Sequence, residues 1–293
     1  MKTNYLIFGG SGYFGSYFIS HLLSDNNNNI ISTYTSHKSN YDNIENLHLD
    51  LSNKDSINVF LKRISSYKNL KVIYLSALHR PDQVDKNPKK AKLINVDSFK
   101  YLIENMKNIE SLFYISTDNV YGKAESRKFF KEDDPLNPTT LYGKHKCEAE
   151  KIALSAGYNV IRYPFLIGPS LSYKPHFYEE IVNSIKNNIE FKLLEDSYRS
   201  SIDFNQAASL GLKLMNECSS KGFDIVNICC DEPLSKYKIG LMIADKLNLD
   251  SDLIVPIKFN EFIEFSKHRT KDILLSNKKF KKLLNIDKIV LKL

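Results

Sequence analysis

The chain has 293 residues, 42% of them hydrophobic and 26% charged, which is the composition of a globular protein rather than of a disordered or fibrous one. Its formal charge of +7 is spread along the chain and is weak support for a nucleic-acid partner, so we expect none. No apolar run approaches the ~18 residues that span a bilayer, and the four cysteines match neither a disulfide framework nor a zinc site, so we expect a cytoplasmic protein without a membrane partner or a metal.

Short β-branched runs alternate with amphipathic stretches in the first half of the chain, as in βαβ units around a parallel sheet. The sequence therefore predicts an α/β fold with a Rossmann-type, doubly wound parallel sheet. The rhythm loosens after Pro164, which predicts a smaller C-terminal lobe over 164–293, with the chain returning to the first lobe (1–163) around 203–230. The predicted strands are 5–8, 30–34, 46–49, 71–76, 112–116 and 159–162.

Two of the helices between these strands have recognisable starts. Ser52 together with Asp55 can cap one helix, and Pro88 suits the first turn of another. Asn95 lies on the apolar face of the second helix, so its amide needs a hydrogen-bond partner, which we expect in a neighbouring strand or loop.

A glycine-rich turn follows the first strand and opens a helix. Gly9, Gly12 and Gly15 have the spacing that lets the backbone turn tightly, approach a pyrophosphate and seat the helix against the sheet. A phosphate would meet free N–H groups and the positive end of the helix dipole. We predict a dinucleotide site here that includes Tyr13 and Phe14, where the helix begins.

The residues after the second strand indicate which dinucleotide binds. No Asp or Glu stands where a ribose 2′-hydroxyl is usually held. His37 and Lys38 suit a 2′-phosphate instead, so we expect NADP(H), with NAD(H) as the alternative cofactor and a solvated loop as the alternative interpretation. Asp50 and Leu51 follow the third strand and could bracket the adenine, although Asp50 could also be an acid at a helix N-terminus.

Tyr142 and Lys146 are four residues apart in a segment of helical character, 139–156, so both side chains project from one face. A nearby ammonium lowers the pKa of a tyrosine, which would make Tyr142 a proton donor near neutral pH. Ser116 and Thr117 close an upstream strand, at the edge where ligands bind in open α/β sheets. An exposed Tyr–Lys pair is the alternative.

Together these motifs resemble the extended short-chain dehydrogenase/reductases that act on nucleotide sugars, and within them the dTDP-4-dehydrorhamnose reductases. The resemblance implies that Thr117 hydrogen-bonds the substrate carbonyl, that Tyr142 is the acid, and that Lys146 lowers its pKa and holds the nicotinamide ribose. It also implies a nucleotide-diphosphate sugar as substrate and a homodimer. The motifs that carry it are 9–15, 50–51, Asn95, 116–122, 138–146, 162–164, 167–169, 199–207, 235–237 and Arg269.

The same resemblance assigns further binding residues. Arg199 and Arg269 match positions that grip the substrate diphosphate, a role for which the forked donors of arginine are suited. Arg269 is followed by Thr270, where the reductase pattern usually has proline. The remaining expected cofactor residues are Ser76, Ala77, Asn95, Ser116, Tyr163 and Pro164, and the remaining expected substrate residues are Asp118 and Asn119.

The sequence leaves alternatives to a reductase open. Asn119 stands where a dehydratase of this family has a glutamate, and an amide cannot act as a base, so dehydration is disfavoured. An epimerase would use the same Thr, Tyr and Lys. Residues 77–84 resemble a loop of the regulatory β subunit of methionine adenosyltransferase, which would bind NADP and a protein partner without sugar turnover.

Overall fold

A seven-stranded parallel sheet forms the centre of the fold, in which the strands of residues 225–227, 159–163, 109–117, 70–74, 3–8, 28–34 and 45–48 lie side by side in this order. The structure is a computed structural model and describes residues 2–123, 127–218, 222–261 and 270–293. All six predicted strands belong to this sheet, so the predicted α/β class is confirmed. The strands are β1 (Thr3–Phe8), β2 (Asn28–Tyr34), β3 (Glu45–His48), β4 (Leu70–Tyr74), β5 (Ile109–Thr117), β7 (Asn159–Tyr163) and β12 (Ile225–Asn227).

Helices cover both faces of the sheet, because successive strand residues point to opposite sides. Tyr5 and Ile7 of β1 pack in one core cluster, whereas Leu6 and Phe8 pack in the other. The first cluster includes α1 (Tyr13–Leu22) and α8 (Phe204–Cys218); the second includes α2 (Lys54–Ile64), α5 (Ser98–Asn105) and α6 (Leu141–Ser155).

The remaining elements are short and lie mainly in the second half of the chain. Four pairs of strands, β8 with β11, β9 with β14, β6 with β15, and β10 with β13, form two-stranded sheets. The strands are β6 (Phe129–Phe130), β8 (Leu166–Ile167), β9 (Phe191–Leu194), β10 (Tyr198–Arg199), β11 (Ile202–Asp203), β13 (Leu234–Ser235), β14 (Ile254–Ile257) and β15 (Leu274–Leu275). The helices are α3 (Pro81–Lys86), α4 (Pro88–Lys92), α7 (Phe177–Lys186), α9 (Lys236–Leu247) and α10 (Lys278–Leu284).

The start of α2 corrects one prediction. The N-cap is Asn53, whose side chain accepts hydrogen bonds from the N–H groups of Asp55 and Ser56 at 2.9 and 3.1 Å. Ser52, the expected cap, instead donates its hydroxyl to Asp50 Oδ1 at 2.7 Å. The cap lies one residue later than predicted because Asn53, in an extended conformation, is the residue whose oxygen reaches the first free amides.

The helix predicted to start at Pro88 is interrupted. After α4, residues Leu93–Asp97 form a π-helical turn before α5 begins. Asn95 lies in this turn, accepts a hydrogen bond from the N–H of Leu78 at 2.7 Å and donates one to the carbonyl of Leu78 at 2.9 Å. The expected hydrogen-bond partner is therefore confirmed, and it fixes the loop after β4.

Residues 169–176, which we term the strap, connect β8 to α7 and cross the start of α1. Tyr17 donates its hydroxyl to the carbonyl of Pro169 at 2.6 Å, and Tyr13 donates to that of Pro175 at 2.7 Å. The Glu179 carboxylate accepts hydrogen bonds from the N–H groups of Ser170 and His176, at 2.6 and 2.7 Å. These bonds close the strap on itself and hold it on α1.

Candidate active site

Residues expected at the site follow several different strands and meet at one edge of the sheet. Because the strands are parallel, their carboxyl ends point the same way. The glycine turn follows β1, His37 follows β2, Ser76 follows β4, and Thr117 ends β5. The fold thus brings together segments that are more than a hundred residues apart in the sequence.

The glycine turn forms an open cradle of backbone. Gly9 has a φ of +77°, and its N–H donates to Thr33 Oγ1 at 2.9 Å. A Cβ on Gly15 would lie 2.4 Å from the Gly9 carbonyl oxygen, so only glycine allows α1 to approach so closely. Gly12 precedes the helix, and no described side chain accepts a hydrogen bond at this helix start. The turn therefore fits a bound phosphate.

Tyr13 and Phe14, the first two residues of α1, differ in which of their groups a ligand can contact. Phe14 packs in the core, with its ring 5.0 Å from that of Tyr163, so only its backbone can serve a ligand at the turn. Tyr13 is partly exposed and contacts the strap, with its ring 4.8 Å from that of His176. Tyr13 therefore links the glycine turn to the strap.

The end of β2 presents two exposed side chains. The His37 ring stacks on that of Tyr173 in the strap, with centroids 3.9 Å apart. Lys38 Nζ lies 5.9 Å from the centroid of the Tyr34 ring. Neither His37 nor Lys38 forms an ion pair with a described residue. Both side chains are accessible to an anionic ligand.

Asp50 and Leu51 follow β3, and their expected bracketing of the adenine stays a prediction. Asp50 Oδ1 accepts hydrogen bonds from the N–H and hydroxyl of Ser52, and the hydroxyl bond is the main cause that lowers the pKa of Asp50. The Leu51 side chain is buried in the core, and its carbonyl accepts from the Ser98 hydroxyl at 2.6 Å. Asp50 thus resembles the alternative we gave for it, an acid near a helix start.

Tyr142 and Lys146 lie on one face of α6, as their spacing predicted. Thr140 caps this helix by accepting a hydrogen bond from the N–H of Gly143 at 3.0 Å. Lys146 is 2% exposed, and its Nζ donates to the carbonyl of Ile115 at 2.7 Å. The same Nζ lies 5.9 Å from the ring centroid of Tyr142. The pair is therefore not an exposed surface pair.

The pKa of Tyr142 contradicts our expectation. Burial and the negative charge of Asp118 raise the pKa of the Tyr142 phenol, whereas we predicted that Lys146 would lower it. Burial also lowers the pKa of Lys146 to about 7, although the charge of Glu150 opposes this. At neutral pH the ammonium is thus only partly populated, and Tyr142 keeps the proton that a donor needs.

Thr117, Asp118 and Asn119 form a compact polar turn at the end of β5. Thr117 Oγ1 donates to Asp118 Oδ1 at 3.1 Å and accepts from Asn119 Nδ2 at 3.1 Å. Asp118 is 3% exposed, and its Oδ2 lies 3.6 Å from Arg199 Nε. Burial raises the pKa of Asp118, while Arg199 acts in the opposite direction.

Arg199 binds backbone in this structure. Its Nη1 donates to the carbonyls of Tyr198 and Lys271, both at 2.8 Å, and its Nη2 donates to that of Thr270 at 2.7 Å. These bonds occupy most of its donors, so its expected contact with a substrate diphosphate stays a prediction. Arg269 lies outside the described residues.

The other expected cofactor residues are near the edge but not all face it. Ser116 donates its hydroxyl to Glu150, and Tyr163 donates to the carbonyl of Ala207 at 3.1 Å, so both side chains are engaged in the interior. Ser76 and Ala77 follow β4, and a Cβ on Gly9 would lie 3.0 Å from Ser76 Oγ. Pro164, directly after β7, is buried.

A buried ion pair next to the site was not predicted from the sequence. Glu150 and Arg162, 1% exposed each, form a two-pronged ion pair with distances of 2.9 Å from Nε to Oε1 and 2.7 Å from Nη2 to Oε2. Arg162 Nη1 also donates to the hydroxyl of Tyr121 at 2.7 Å. The position of Glu150, four residues after Lys146, was the available signal.

The described residues contain neither a membrane-spanning helix nor a metal-binding cluster. None of the helices in the described ranges is long and apolar enough to cross a membrane. In the same ranges, no three His, Cys, Asp or Glu side chains are grouped so that they could hold a metal ion.

The chain is similar to known proteins along nearly its whole length. The family model described as the RmlD substrate binding domain matches residues 3–289. Methionine adenosyltransferase 2 subunit beta of Xenopus tropicalis is 29% identical over 206 residues, which are 66% of this chain and 59% of that protein. The match therefore spans less than two thirds of that curated relative.

Two reductases are also similar. dTDP-4-dehydrorhamnose reductase of Aggregatibacter actinomycetemcomitans is 32% identical over 108 residues, 36% of this chain and 35% of that one. The crystal structure of dTDP-4-dehydrorhamnose reductase from Bacillus anthracis in complex with NADP has a TM-score of 0.79 and 19% identity, and the match covers 99% of this chain and 95% of that one. At this identity the likeness shows the fold.

Proposed function

Because the chain belongs to the RmlD substrate binding domain family, we propose that it is an NADPH-dependent oxidoreductase that reduces a nucleotide-activated 4-keto-6-deoxysugar. The observations that support this proposal are the position of Thr117 at the carboxyl end of β5 and the Tyr142–Lys146 pair on α6, whose Lys146 donates to the carbonyl of Ile115 in that strand. The resemblance of the motifs to dTDP-4-dehydrorhamnose reductases supports the choice of substrate class.

The residues at the edge fit NADP(H). The amides that follow Gly12 would hold the pyrophosphate, His37 and Lys38 would bind the 2′-phosphate, and Lys146 would hold the nicotinamide ribose. The bound cofactor would supply the hydride. Without an acid at the end of β2, NAD(H) would bind more weakly than NADP(H).

This chain's own residues would position the carbonyl and supply the proton. Tyr142 keeps its phenolic proton because burial and Asp118 raise its pKa, so the phenol can donate to the developing alkoxide. Thr117 would turn its hydroxyl from Asp118 to the carbonyl oxygen of the sugar. Asn119 fixes Thr117 by donating to its oxygen.

We assign the substrate mainly to the C-terminal lobe, residues 164–293, and the cofactor to residues 1–163. The chain would return to the cofactor lobe around 203–230, which is supported by the packing of α8 on α1 and by the pairing of β12 with β7. A nucleotide-diphosphate sugar would lie between the lobes, near Asp118 and Asn119. Arg199 and Arg269 would bind its diphosphate.

The test is incubation with NADPH and a panel of dTDP- and UDP-linked 4-keto-6-deoxysugars. A reductase oxidises one NADPH for each product molecule and transfers deuterium from labelled NADPH to the sugar. The Tyr142→Phe variant is the control for chemistry that does not need the phenol. Interconversion of sugars without net NADPH oxidation would replace the reductase with an epimerase.

A second candidate is a non-catalytic NADP-binding subunit. It is favoured by the match to methionine adenosyltransferase 2 subunit beta, which covers more of this chain than the match to the curated reductase does. Such a subunit would bind NADP(H) and a protein partner but would oxidise no NADPH with any sugar of the panel.

We also propose a cytoplasmic homodimer. All four cysteines are free thiols, which suits a reducing compartment. A groove of about 710 Å³ between α5 and α6 is lined by both basic and acidic side chains, a pattern that can complement itself across a two-fold axis. The charged residues in this groove are Lys92, Asp97, Lys100, Glu104, Glu148 and Lys151.

A further inference from the structure

Glu150 is a buried carboxylate that has no role in the proposed reaction as described above. It is 1% exposed and lies one helical turn after Lys146 in α6. Its Oε1 accepts hydrogen bonds from Ser116 Oγ and Arg162 Nε, and its Oε2 accepts from Arg162 Nη2. A buried carboxylate is costly, and pairing with an arginine offsets part of that cost.

The hydrogen bond to Ser116 connects Glu150 to the catalytic strand. Ser116 precedes Thr117 at the end of β5, and the carbonyl of Ile115, on its other side, accepts the hydrogen bond from Lys146. The end of strand β5 is therefore hydrogen-bonded to α6 at two successive residues, Ile115 and Ser116. These two bonds hold Lys146 itself and the residue before Thr117, and the proposed reaction uses both Lys146 and Thr117.

Glu150 is also the acid that faces Lys146. The titratable groups around the Lys146 amine are Tyr142 and Glu150 from α6, Tyr114 from β5 and His79 from the loop after β4. Among these described groups only Glu150 is negatively charged at neutral pH, since both tyrosines have raised pKa values. It opposes the burial that lowers the pKa of Lys146 to about 7.

We propose that Glu150 is a positioning residue, which fixes the end of β5 through Ser116 and provides the negative charge that keeps the Lys146 amine protonated for cofactor binding. The proposal rests on the proposed role of Lys146 in holding the nicotinamide ribose. Arg162 takes part by holding Glu150 with both prongs of its guanidinium, so that the carboxylate does not turn away.

The test is the pH dependence of NADPH affinity in the Glu150→Gln variant, measured from cofactor fluorescence without any sugar. Glutamine has the same shape and can still accept from Ser116, so the variant removes mainly the charge. In the wild type, affinity should fall as pH rises through the pKa of Lys146, at about 7. In the variant this inflection should shift down by about one pH unit, the effect of losing a neighbouring opposite charge.

Two further variants complete the experiment. Glu148→Gln is the matched control, because Glu148 is an exposed acid of the same helix that pairs with Lys92 at 3.7 Å, and its inflection should stay at the wild-type value. Glu150→Gln leaves Arg162 buried without its acid and is at risk of not folding. The double variant Glu150→Gln/Arg162→Met removes that unpaired charge and should still shift the inflection down, but by less, because a positive charge is lost together with the negative one.

A variant that binds NADPH more weakly at every pH, with an unchanged inflection, would overturn the proposal and leave Glu150 a structural residue only. An absence of any inflection near pH 7 in the wild type would overturn it as well. The sugar panel is read separately. A chain with the shifted inflection that reduces no sugar refutes the proposed reaction and not the role of Glu150.

Discussion

At the scale of single residues, Lys146 combines a functional position with an unfavourable environment. It is nearly inaccessible to solvent, its amine donates to the carbonyl of Ile115, and burial lowers its pKa to about 7 from 10.5. An amine that loses its proton this easily destabilises the fold whenever it is charged. Active sites commonly carry such costs.

Replacement of Lys146 by methionine should therefore stabilise the protein, and more so at low pH. Between pH 7 and about 10 the unfolded chain binds more protons at this residue than the folded one, so its contribution to stability improves as pH rises and is worst below pH 7. We expect Lys146→Met to raise Tm by several degrees below pH 7 and by much less near pH 10, as measured by calorimetry. Lys144→Met, at an exposed position of the same helix, should show no such pH dependence. Equal gains at both pH values would contradict this prediction.

Tyr142→Phe should abolish turnover and leave NADPH binding within a few-fold of the wild type. The change removes one hydroxyl and preserves the ring, so the proton donor is lost while the packing of α6 is kept. Steady-state rates with an active sugar and a fluorescence titration of NADPH give the two numbers. If the variant retains most of its rate, the proton comes from another group.

Lys38→Ala should weaken NADPH binding about tenfold, the effect of losing one charge-assisted contact, and should leave NADH binding unchanged. Lys38 is exposed and unpaired among the described residues, so its charge is available to a 2′-phosphate. Lys68→Ala, an exposed lysine next to the opposite edge of the sheet, is the control. Parallel losses for NADPH and NADH would show that Lys38 does not read the 2′-phosphate.

The sequence predicted which residues would meet, but not how their charges would balance. The four-residue spacing of Tyr142 and Lys146 was enough to place both on one helix face. The predicted lowering of the Tyr142 pKa was wrong, because this pKa depends on Asp118 and on burial. Both follow from tertiary packing rather than from spacing. Arg199 was expected to bind the substrate diphosphate, and the sequence did not indicate that the backbone at 270–271 also accepts its hydrogen bonds.

At the scale of elements, the start of α1 depends on the absence of side chains. The helix approaches the glycine turn so closely that the Cβ of an alanine at position 15 would lie 2.6 Å from Gly10 Cα. At position 12 the backbone is extended, with a φ of −82°, and a Cβ would lie 3.3 Å from the carbonyl oxygen of Gly9. Gly15 is thus required mainly by the packing of the helix on the turn, whereas Gly12 mainly leaves space for the ligand.

Gly15→Ala and Gly12→Ala should separate these two roles. Gly15→Ala should lower the free energy of unfolding by roughly 1–3 kcal/mol, because the helix must move away from the turn. Gly12→Ala should change stability by less than about 1 kcal/mol but weaken NADPH binding tenfold or more, since the methyl group stands where the phosphate approaches. Urea unfolding and NADPH titration measure both effects. Similar stability losses in the two variants would contradict this division.

Prediction from sequence succeeded for long elements and failed for short ones. Six of the seven central strands were found because their β-branched runs are bounded by turns and each is at least four residues long, whereas the three-residue β12 was not predicted. The paired strands β10 with β13 and β8 with β11 are two residues each, too short for any periodicity, and only the packing of the chain brings them together. The cap of α2 was misplaced by one residue because Ser52 and Asn53 are both good caps.

At the scale of the whole molecule, the central sheet is assembled from distant parts of the chain. Strand β12 pairs with β7, although more than 60 residues separate them, and α8 packs on α1, although more than 180 residues separate the two helices. The sequence pattern of the first half could not reveal which later strand completes the sheet. The positions of the residues that line the site therefore depend on contacts with segments that come later in the sequence.

The proposed homodimer should depend on the groove between α5 and α6. Reversal of two charges, Lys100→Glu together with Lys151→Glu, places five acids on that face and should shift the protein towards monomer in sedimentation velocity. Reversal of Lys278 and Lys282 in α10, outside the groove, is the control. An unchanged sedimentation coefficient for the groove variant would show that another surface, or none, forms the dimer.

The strap has a consequence for the timing of cofactor exchange. It holds Tyr13 at the glycine turn and Tyr173 against His37, which are the expected sites of the pyrophosphate and of the 2′-phosphate. The adenosine half of a dinucleotide laid along this edge would lie between those contacts, so its departure would require the strap to lift. Residence time would then be set by the strap rather than by affinity alone.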